Sequence, residues 1–524
     1  MTSAPGQPRA TPAWFPAWIV LLALVGIAGR IAFYVSPFGV PDTDEAVGGL
    51  MAKHELHGQF VGAFYWGQAY GGTLETWLAA PLLAIFGPSY VALRIVPIAL
   101  SAVAALVVWR IGLRTMSKPA ALTAAGLAWC FPSSLLWKTS HFHIFYASGM
   151  LLGLLTVLQA LRMRERVSTK GMLLLGLVAG LGLWQSFQLA TIVPPTLIWL
   201  AYRRRDLLRY WPQAGAGFLV GFAPVLASNL RHGWWSRDIG RPGDEIDYLH
   251  RVLQFFTNGL PIALDLRTPV TLHWLAWKPF AIVLYAALLV GFVVLVAATR
   301  RSGRFGKLGL IATIAVAFPA LYAISPLTSA PDIASYVTVF MPLIALLLCS
   351  WARDARQAAI VSAAALMVMA GSVTQLHADY SQSPRPDFSQ LGTRTPLPRS
   401  FAPLITKLNE LGIKRVYASY WIAYRIDFES NERIIAADMR PEALRTNAAG
   451  AVIPQPDDPL FNSRHPEYGT TVSRVQAPAF VFAKAFDPPS TDYGSFTSAG
   501  GYSTVQVGVF TIYLRGAASE GTGS

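Results

Sequence analysis

Eleven apolar runs, each close to the length of a bilayer-spanning helix, fix what this chain can become. The first, Trp14 to Val35, is followed by runs near 90–110, 119–137, 144–161, 171–185, 189–202, 212–228, 279–299, 308–324, 332–350 and 357–376. A helix crosses the hydrocarbon with about 20 apolar residues, and there every backbone polar group has to be satisfied inside the segment. Only 13% of the 524 residues are charged, against about 25% in soluble domains. The sequence therefore predicts an all-α polytopic membrane bundle. The first run is too long for a signal-peptide core and no small-residue cleavage site follows it, so it reads as a retained helix.

The formal charge is +14, which in a soluble chain would point to nucleic acid. Here the bases fall in short loops: Arg110, Arg114 and Lys118; Arg162, Arg164, Arg166 and Lys170; Arg203, Arg204, Arg205 and Arg209; Arg300, Arg301, Arg304 and Lys307; Arg353 and Arg356. With the N-terminus inside and each run crossing once, all of these lie in the cytoplasm, as the positive-inside rule asks. No nucleic-acid partner is expected. Membrane lipids are. The two cysteines, Cys130 and Cys349, sit inside apolar runs and read as small buried hydrophobes.

Leu74 to Phe86 is apolar but short for a span, and a crossing there would place Arg110, Arg114 and Lys118 outside. It is expected to lie at the outer interface. Segment 43–57 looks like a second interfacial helix, with Val47, Leu50 and Met51 at helical spacing and Gly58 as its stop. Residues 1–376 form the expected membrane domain, with outer loops 36–73 and 229–278. Residues 377–524 are polar and Pro-rich with no spanning run. An amphipathic helix at 401–412 and strand-like runs at 414–418, 432–437, 478–483 and 504–514 predict a small extracytoplasmic α/β domain.

The residues that can carry chemistry cluster at the outer surface. Asp42, Asp44 and Glu45 follow the first span directly. A carboxylate there can take a proton from a sugar hydroxyl. The bland alternative is a helix start, with Asp42 as N-cap and Glu45 closing a capping box. Asp44 is the leading base and Glu45 the second. Glu75 follows Tyr70-Gly71-Gly72, where glycines permit close backbone approach of a ligand; it could equally be a first-turn acid favoured by the helix dipole. Lys138, His141 and His143 share a very short outer loop whose cations suit a lipid phosphate or a sugar, or are simply solvated. Two histidines are too few for a metal site, and none is expected. Arg94 lies near the outer end of the second span and Arg30 within the first; such charges are functional candidates or snorkel to the interface. Loop 229–278 carries Arg231, Arg237, Arg241, Arg251, Arg267 and Lys278 on the face that should be poor in bases, which points to an anionic ligand. Asp265 and Arg267 are placed to pair. Trp234, Trp235, Trp274 and Trp277 suit interfacial anchoring or sugar stacking. No Walker A motif, zinc-protease motif or nucleophile elbow is present.

With these residues in view, the chain resembles the GT-C superfamily of membrane glycosyltransferases, in the branch of protein O-mannosyltransferases and bacterial aminoarabinose transferases. The similar elements are Asp44-Glu45-Ala46 opening an interfacial helix, Gly67-Gln68-Ala69-Tyr70-Gly71-Gly72-Thr73-Leu74-Glu75 opening a second, Phe86-Gly87-Pro88, the early Arg94, and the run Leu411 to Arg425. The resemblance implies inverting transfer from a polyprenyl-phosphate sugar to an envelope glycan, glycolipid or protein acceptor, on the outer face of a bacterial plasma membrane. By it, Asp44 takes the acceptor proton, Arg94, Lys138 and Arg267 stabilise the departing lipid phosphate, and neither a metal nor a further cofactor is needed. The chain departs from that pattern twice. Tyr70-Gly71-Gly72 stands where aminoarabinose transferases carry Lys-Pro, and Ser335-Tyr336 where many members have Arg-Tyr. Two other classes fit the sequence: a lipid-sugar flippase or transporter, and a degenerate member that binds envelope glycan as a scaffold.

Overall fold

The computed structural model describes residues 11–238, 246–268, 271–299, 305–329, 333–382, 397–439, 444–446, 452–454, 463–476, 478–484, 487, 493–499 and 501–515. Arg241, Arg300, Arg301 and Arg304 lie outside them. Every expected apolar run carries helix. Among the described residues, six helices are by themselves long and apolar enough to cross a membrane, beginning with α1 (Phe15–Val35), α4 (Tyr90–Thr115) and α7 (Tyr146–Glu165). The chain is a multi-pass membrane protein.

Three runs expected to cross as single helices are broken, and one of them, 189–202, divides into the 3-10 turns Phe187–Thr191 and the helix Val193–Arg203. Run 119–137 divides into α5 (Lys118–Cys130) and α6 (Ser133–Lys138) at Pro132, which cannot donate to a continuing helix. Run 332–350 divides into Ile333–Tyr336 and Met341–Cys349. Loop 229–278 is not irregular throughout, since Tyr248–Gln254 is helical. Between α8 (Thr169–Gln185) and α10 (Trp211–Arg231), Gly176 and Gly180 face Gly217 and Gly221. A Cβ built on Gly176 would lie 1.8 Å from the Ala214 carbonyl oxygen, and one on Gly217 2.0 Å from that of Leu173. The two backbones therefore touch, which is how small residues bind helices together where no hydrophobic force acts between them.

Both short surface helices form where expected. Helix α2 (Thr43–Leu56) starts on Asp42, whose Oδ1 accepts from the Glu45 N–H at 2.8 Å, and ends before Gly58 at φ +76°. Helix α3 (Leu74–Phe86) ends at Gly87, φ +72°. The soluble part is a five-stranded sheet, order β2-β1-β5-β7-β6: β1 (Arg415–Ser419) lies parallel to β2 (Ile435–Met439) and β5 (Ala479–Phe482), and the hairpin β6 (Tyr502–Val507) with β7 (Phe510–Arg515) adds on antiparallel. A separate pair, β3 (Leu444–Thr446) and β4 (Val452–Pro454), lies beside it. Helices Ala402–Glu410 and Tyr420–Glu429 pack on the sheet.

One hydrophobic cluster belongs to the membrane bundle and another to the soluble sheet. A third joins them. Val47, Leu50 and Met51 of α2 pack with Leu93 of α4, Phe142 of the outer loop, and Tyr424 and Phe428 of the soluble part. Gly48 and Gly49 make this sandwich possible. A Cβ on Gly48 would meet Phe142 at 2.9 Å, and one on Gly49 would meet Phe428 at 2.5 Å.

Candidate active site

The acids after the first span separate into different environments. Asp42 is committed to structure: besides capping α2, its Oδ2 meets His143 Nε2 at 2.6 Å. Glu45 is fully buried and bidentate with Arg94, which donates from Nε at 2.7 Å and from Nη2 at 2.6 Å. It also accepts from the Phe142 N–H at 2.9 Å. Burial pushes the Glu45 carboxyl up, but the charge and hydrogen bonds of Arg94 outweigh it and hold the group well below the usual carboxylate range. The capping box is therefore only half made, because the Glu45 side chain turns to Arg94 rather than back to Asp42. Arg94 does not snorkel; its third contact is the Gly39 carbonyl at 3.0 Å.

Asp44 is different. It is half-buried, and its Oδ1 accepts from the hydroxyls of Tyr65 at 3.1 Å and Tyr420 at 2.5 Å. Arg464 lies over both phenol rings, 5.3 Å from each centroid, and donates from Nε to the Tyr420 oxygen at 3.2 Å. In the amide orientation that satisfies both groups, Gln68 accepts from Arg464 at 3.1 and 3.2 Å. The loop 65–68 approaches Arg464 closely because residue 67 is glycine at φ +67°; a Cβ there would lie 2.9 Å from the Ser463 carbonyl oxygen. Sequence reasoning missed Tyr65, Gln68 and Arg464. Tyr420 fell inside the quoted run 411–425 without a role.

The short loop 138–143 packs inward rather than into solvent. His141 is buried, its Nδ1 bonded to the Trp137 carbonyl at 3.0 Å, and its ring stacks on His143. Burial, helped by Arg94, lowers His141 to about 3. The expectation that it serves as a cation is corrected: it is a neutral ring. Among the described residues no group of three or more His, Cys, Asp or Glu is arranged to hold a metal. Lys138 is only 7% exposed, with Nζ 4.3 Å from the centre of the Tyr146 ring. Among the described residues it has neither an ion pair nor a hydrogen bond.

Tyr146 also lines a cavity of about 270 Å³, together with Tyr70, Gly71, Phe145, Tyr322 and Tyr336. The Tyr70–Leu74 turn that forms one wall is tied to the end of α8, since the Gly72 N–H donates to the Gln185 carbonyl and the Gln185 amide returns to Gly72, both at 3.0 Å. Gly71 stands at φ +79°, and a Cβ on it would strike Phe145 at 2.5 Å. Glu75 below this turn is fully buried and accepts from the Ser148 N–H at 2.9 Å and hydroxyl at 2.6 Å, fixing the start of α7. Burial raises its carboxyl to about 7.

That shift has a measurable consequence. The folded state binds a proton at Glu75 that the unfolded chain, near 4.5, has already released, so this group's contribution to stability falls as pH rises from about 4.5 through 7. Glu75→Gln is expected to flatten the fall in melting temperature between pH 5 and 8 in detergent. An unchanged pH slope would sink this account.

Arg267 does not join the site by any contact. Its guanidinium donates to the Leu272 carbonyl at 2.7 Å, the Thr257 carbonyl at 2.6 Å and Asn258 Oδ1 at 2.5 Å, and lies over Trp274. The expected Asp265–Arg267 pair does not form. Asp265 accepts instead from the Ser133 N–H at 2.7 Å and hydroxyl at 2.5 Å. Arg30 is buried in α1, stacked 3.6 Å over Trp129, and donates to the Gly26 and Trp129 carbonyls, Ser101 and Thr139.

Residues 73–227 match the family model described as dolichyl-phosphate-mannose-protein mannosyltransferase. No curated protein matches the chain in sequence. Among solved structures, ArnT from Cupriavidus metallidurans bound to undecaprenyl phosphate is 14% identical with a TM-score of 0.56, over 97% of this chain and 99% of that one. The same protein in its apo state is 12% identical with a TM-score of 0.57, over 96% and 98%. AglB from Archaeoglobus fulgidus, in complex with an inhibitory peptide and a dolichol-phosphate, is 14% identical over 96% of this chain and 74% of that one; its TM-score of 0.46 is too low to bear on the fold. The chain shares the fold of these ArnT structures, in keeping with the sequence motifs.

Proposed function

We propose that this protein is an inverting glycosyltransferase that moves a sugar from a polyprenyl-phosphate donor to an envelope glycan, glycolipid or protein acceptor, with Asp44 as the base. The observation that carries this reading is the separation of the four acids. Asp42 and Glu75 hold backbone, Glu45 neutralises Arg94, and Asp44 is left half-buried with hydroxyl partners on one oxygen. A base needs such partial access to the proton it takes. The acceptor oxygen loses its proton to Asp44 and attacks the anomeric carbon. The bond from that carbon to the phosphate oxygen breaks on the opposite side, and polyprenyl phosphate leaves with the electron pair.

The largely apolar cavity beside Tyr146 suits the first isoprene units of such a donor, and the ArnT structure of the same fold holds undecaprenyl phosphate. Lys138 behind Tyr146 is the cation best placed for the phosphate, since it is buried without an anion of its own. Glu45 and Arg94 are positioning residues that hold α2 against α4. His141 and His143 support Asp42, and Tyr70 shapes the cavity wall. Arg267 shapes its own loop. No metal or other cofactor is invoked, because a monophosphate leaving group and a carboxylate base suffice for the step as written. The basic loops support a cytoplasmic N-terminus and an extracytoplasmic site and soluble domain in a bacterial plasma membrane.

The test is release of polyprenyl phosphate by purified protein from a panel of polyprenyl-phosphate sugars with envelope extract present. Release by wild type and not by Asp44→Asn is expected. A folded wild type that consumes no donor would overturn the reading in favour of transport or scaffolding. Lys138→Met is expected to raise KM for the donor lipid roughly 10- to 100-fold, the worth of one charge-assisted contact, with the KM for acceptor unchanged. An unaltered donor KM would remove Lys138 from the phosphate site.

A further inference from the structure

The soluble domain reaches Asp44 through a short chain of donors whose direction can be assigned from chemistry alone. Arginine has no acceptor and an ionised carboxylate has no donor. The Tyr420 hydroxyl lies between Arg464 Nε, at 3.2 Å, and Asp44 Oδ1, at 2.5 Å. It must accept from the first, so its single proton points at the second. Tyr65 donates to the same Oδ1 at 3.1 Å. Among the described residues the other oxygen, Oδ2, carries no hydrogen bond. One carboxylate oxygen is anchored and the other is presented.

Every member of the chain is itself held. The Arg464 N–H donates to the Tyr424 hydroxyl at 2.6 Å, and that hydroxyl donates onward to Asp438 at 3.0 Å. His465 stacks on Tyr468 and packs on Trp66 of the outer loop. Burial, then the nearby Asp44, pushes the Tyr420 phenol far above its ordinary value, and the same causes act on Tyr65. Both stay protonated donors across the working pH range. Among the described residues, Tyr70 of the cavity wall also acts electrostatically with Asp44; Asp42 acts on Tyr65, and Glu45 is turned away to Arg94.

We infer that Tyr420 and Arg464 are positioning residues, supplied by the C-terminal domain, that aim the Asp44 carboxylate. This rests on the reading of Asp44 as the base. Hydrogen bonds to an ionised carboxylate favour its charged form, and a donor polarised by a guanidinium is a stronger one.

The experiment is the pH profile of kcat/KM for transfer by full-length wild type, Tyr420→Phe, Arg464→Gln and Arg464→Lys. In Tyr420→Phe and Arg464→Gln the rate should fall roughly tenfold and the acid limb should move up by about half to one pH unit, the worth of one hydrogen bond. Arg464→Lys, which keeps the positive charge that polarises the Tyr420 hydroxyl, should recover most of both. A side chain that merely supports folding would lower the rate without moving the limb, so an unmoved limb overturns the inference while Asp44 stands. A second arm needs no donor. The melting temperatures of wild type and Asp44→Asn are compared from pH 8 to 4, with and without Tyr420→Phe. The pH at which wild type loses its difference from the Asn variant should rise when Tyr420 is Phe. If that pH is unmoved, the inference fails whatever the enzymology. If it moves but wild type consumes no donor, the proposed function fails and the inference about Asp44 stands.

Discussion

Asp44→Asn is expected to abolish sugar transfer, with a loss of about 10²–10⁴ in kcat, while the protein keeps its fold and its affinity for donor lipid. The amide has the shape of the carboxylate. Its oxygen can still accept from Tyr65 and Tyr420, so the packing of α2 between Leu93, Phe142 and Phe428 should be undisturbed. What the variant cannot do is take a proton. The loss should therefore appear in the chemical step, with donor KM near the wild-type value and an equal fall in kcat and kcat/KM. Transfer by a folded Asp44→Asn protein at more than a tenth of the wild-type rate would remove Asp44 from the role of base.

Glu45→Gln should have the largest effect on stability. It would leave the Arg94 guanidinium buried at 4% exposure without its carboxylate. Removing one partner of a buried pair costs about 3–5 kcal/mol, whereas replacing both by apolar groups of similar volume is often close to neutral. Against a total of about 5–15 kcal/mol, the single variant should melt far below wild type or fail to accumulate, and Glu45→Met with Arg94→Met should restore most of the loss. Recovery should stop short of complete, because the Phe142 N–H would lose its acceptor and the Gly39 carbonyl its donor. The check is thermal unfolding of the two single variants and the double variant in one detergent. If the double variant is as unstable as the sum of the singles, the pair is not the coupled unit described here.

The fold was legible because a bilayer leaves few choices. The apolar runs, the two surface helices and strands β1, β2 and β5 follow from apolar length and periodicity, whereas β3 and β4 were not foreseen and run 504–514 is a hairpin of two strands; the motifs around Asp44, Tyr70 and Arg94 pointed to the GT-C fold. What stayed hidden follows from distance and burial. Pro132 inside an apolar run gives no warning that the helix will restart. The acids 42, 44 and 45 look alike in a string; only the arrival of Arg94 and His143 from elsewhere separates a buried ion pair and a cap from an accessible carboxylate. His141 reads as a cation until its surroundings are known to be dry. Arg464 sits in an unremarkable stretch, Asn462-Ser463-Arg464-His465, and its place over Tyr65 and Tyr420 follows from the docking of a whole domain.

The third hydrophobic cluster, shared by α2 and the soluble part, also sets an order in time. Asp44 and Tyr420 are 376 residues apart. On a ribosome the helix carrying Asp44 enters the membrane early, and its phenol partner emerges only after the last bundle helix has been made. At about 5–20 residues per second, that interval is tens of seconds. During it the bundle helices are complete, but Asp44 and its surroundings lack the contacts of Tyr420 and Arg464. With Tyr420 and Arg464 positioned as proposed, a chain stalled or cut before the final domain is expected to transfer sugar more slowly than the finished protein, with its acid limb moved up.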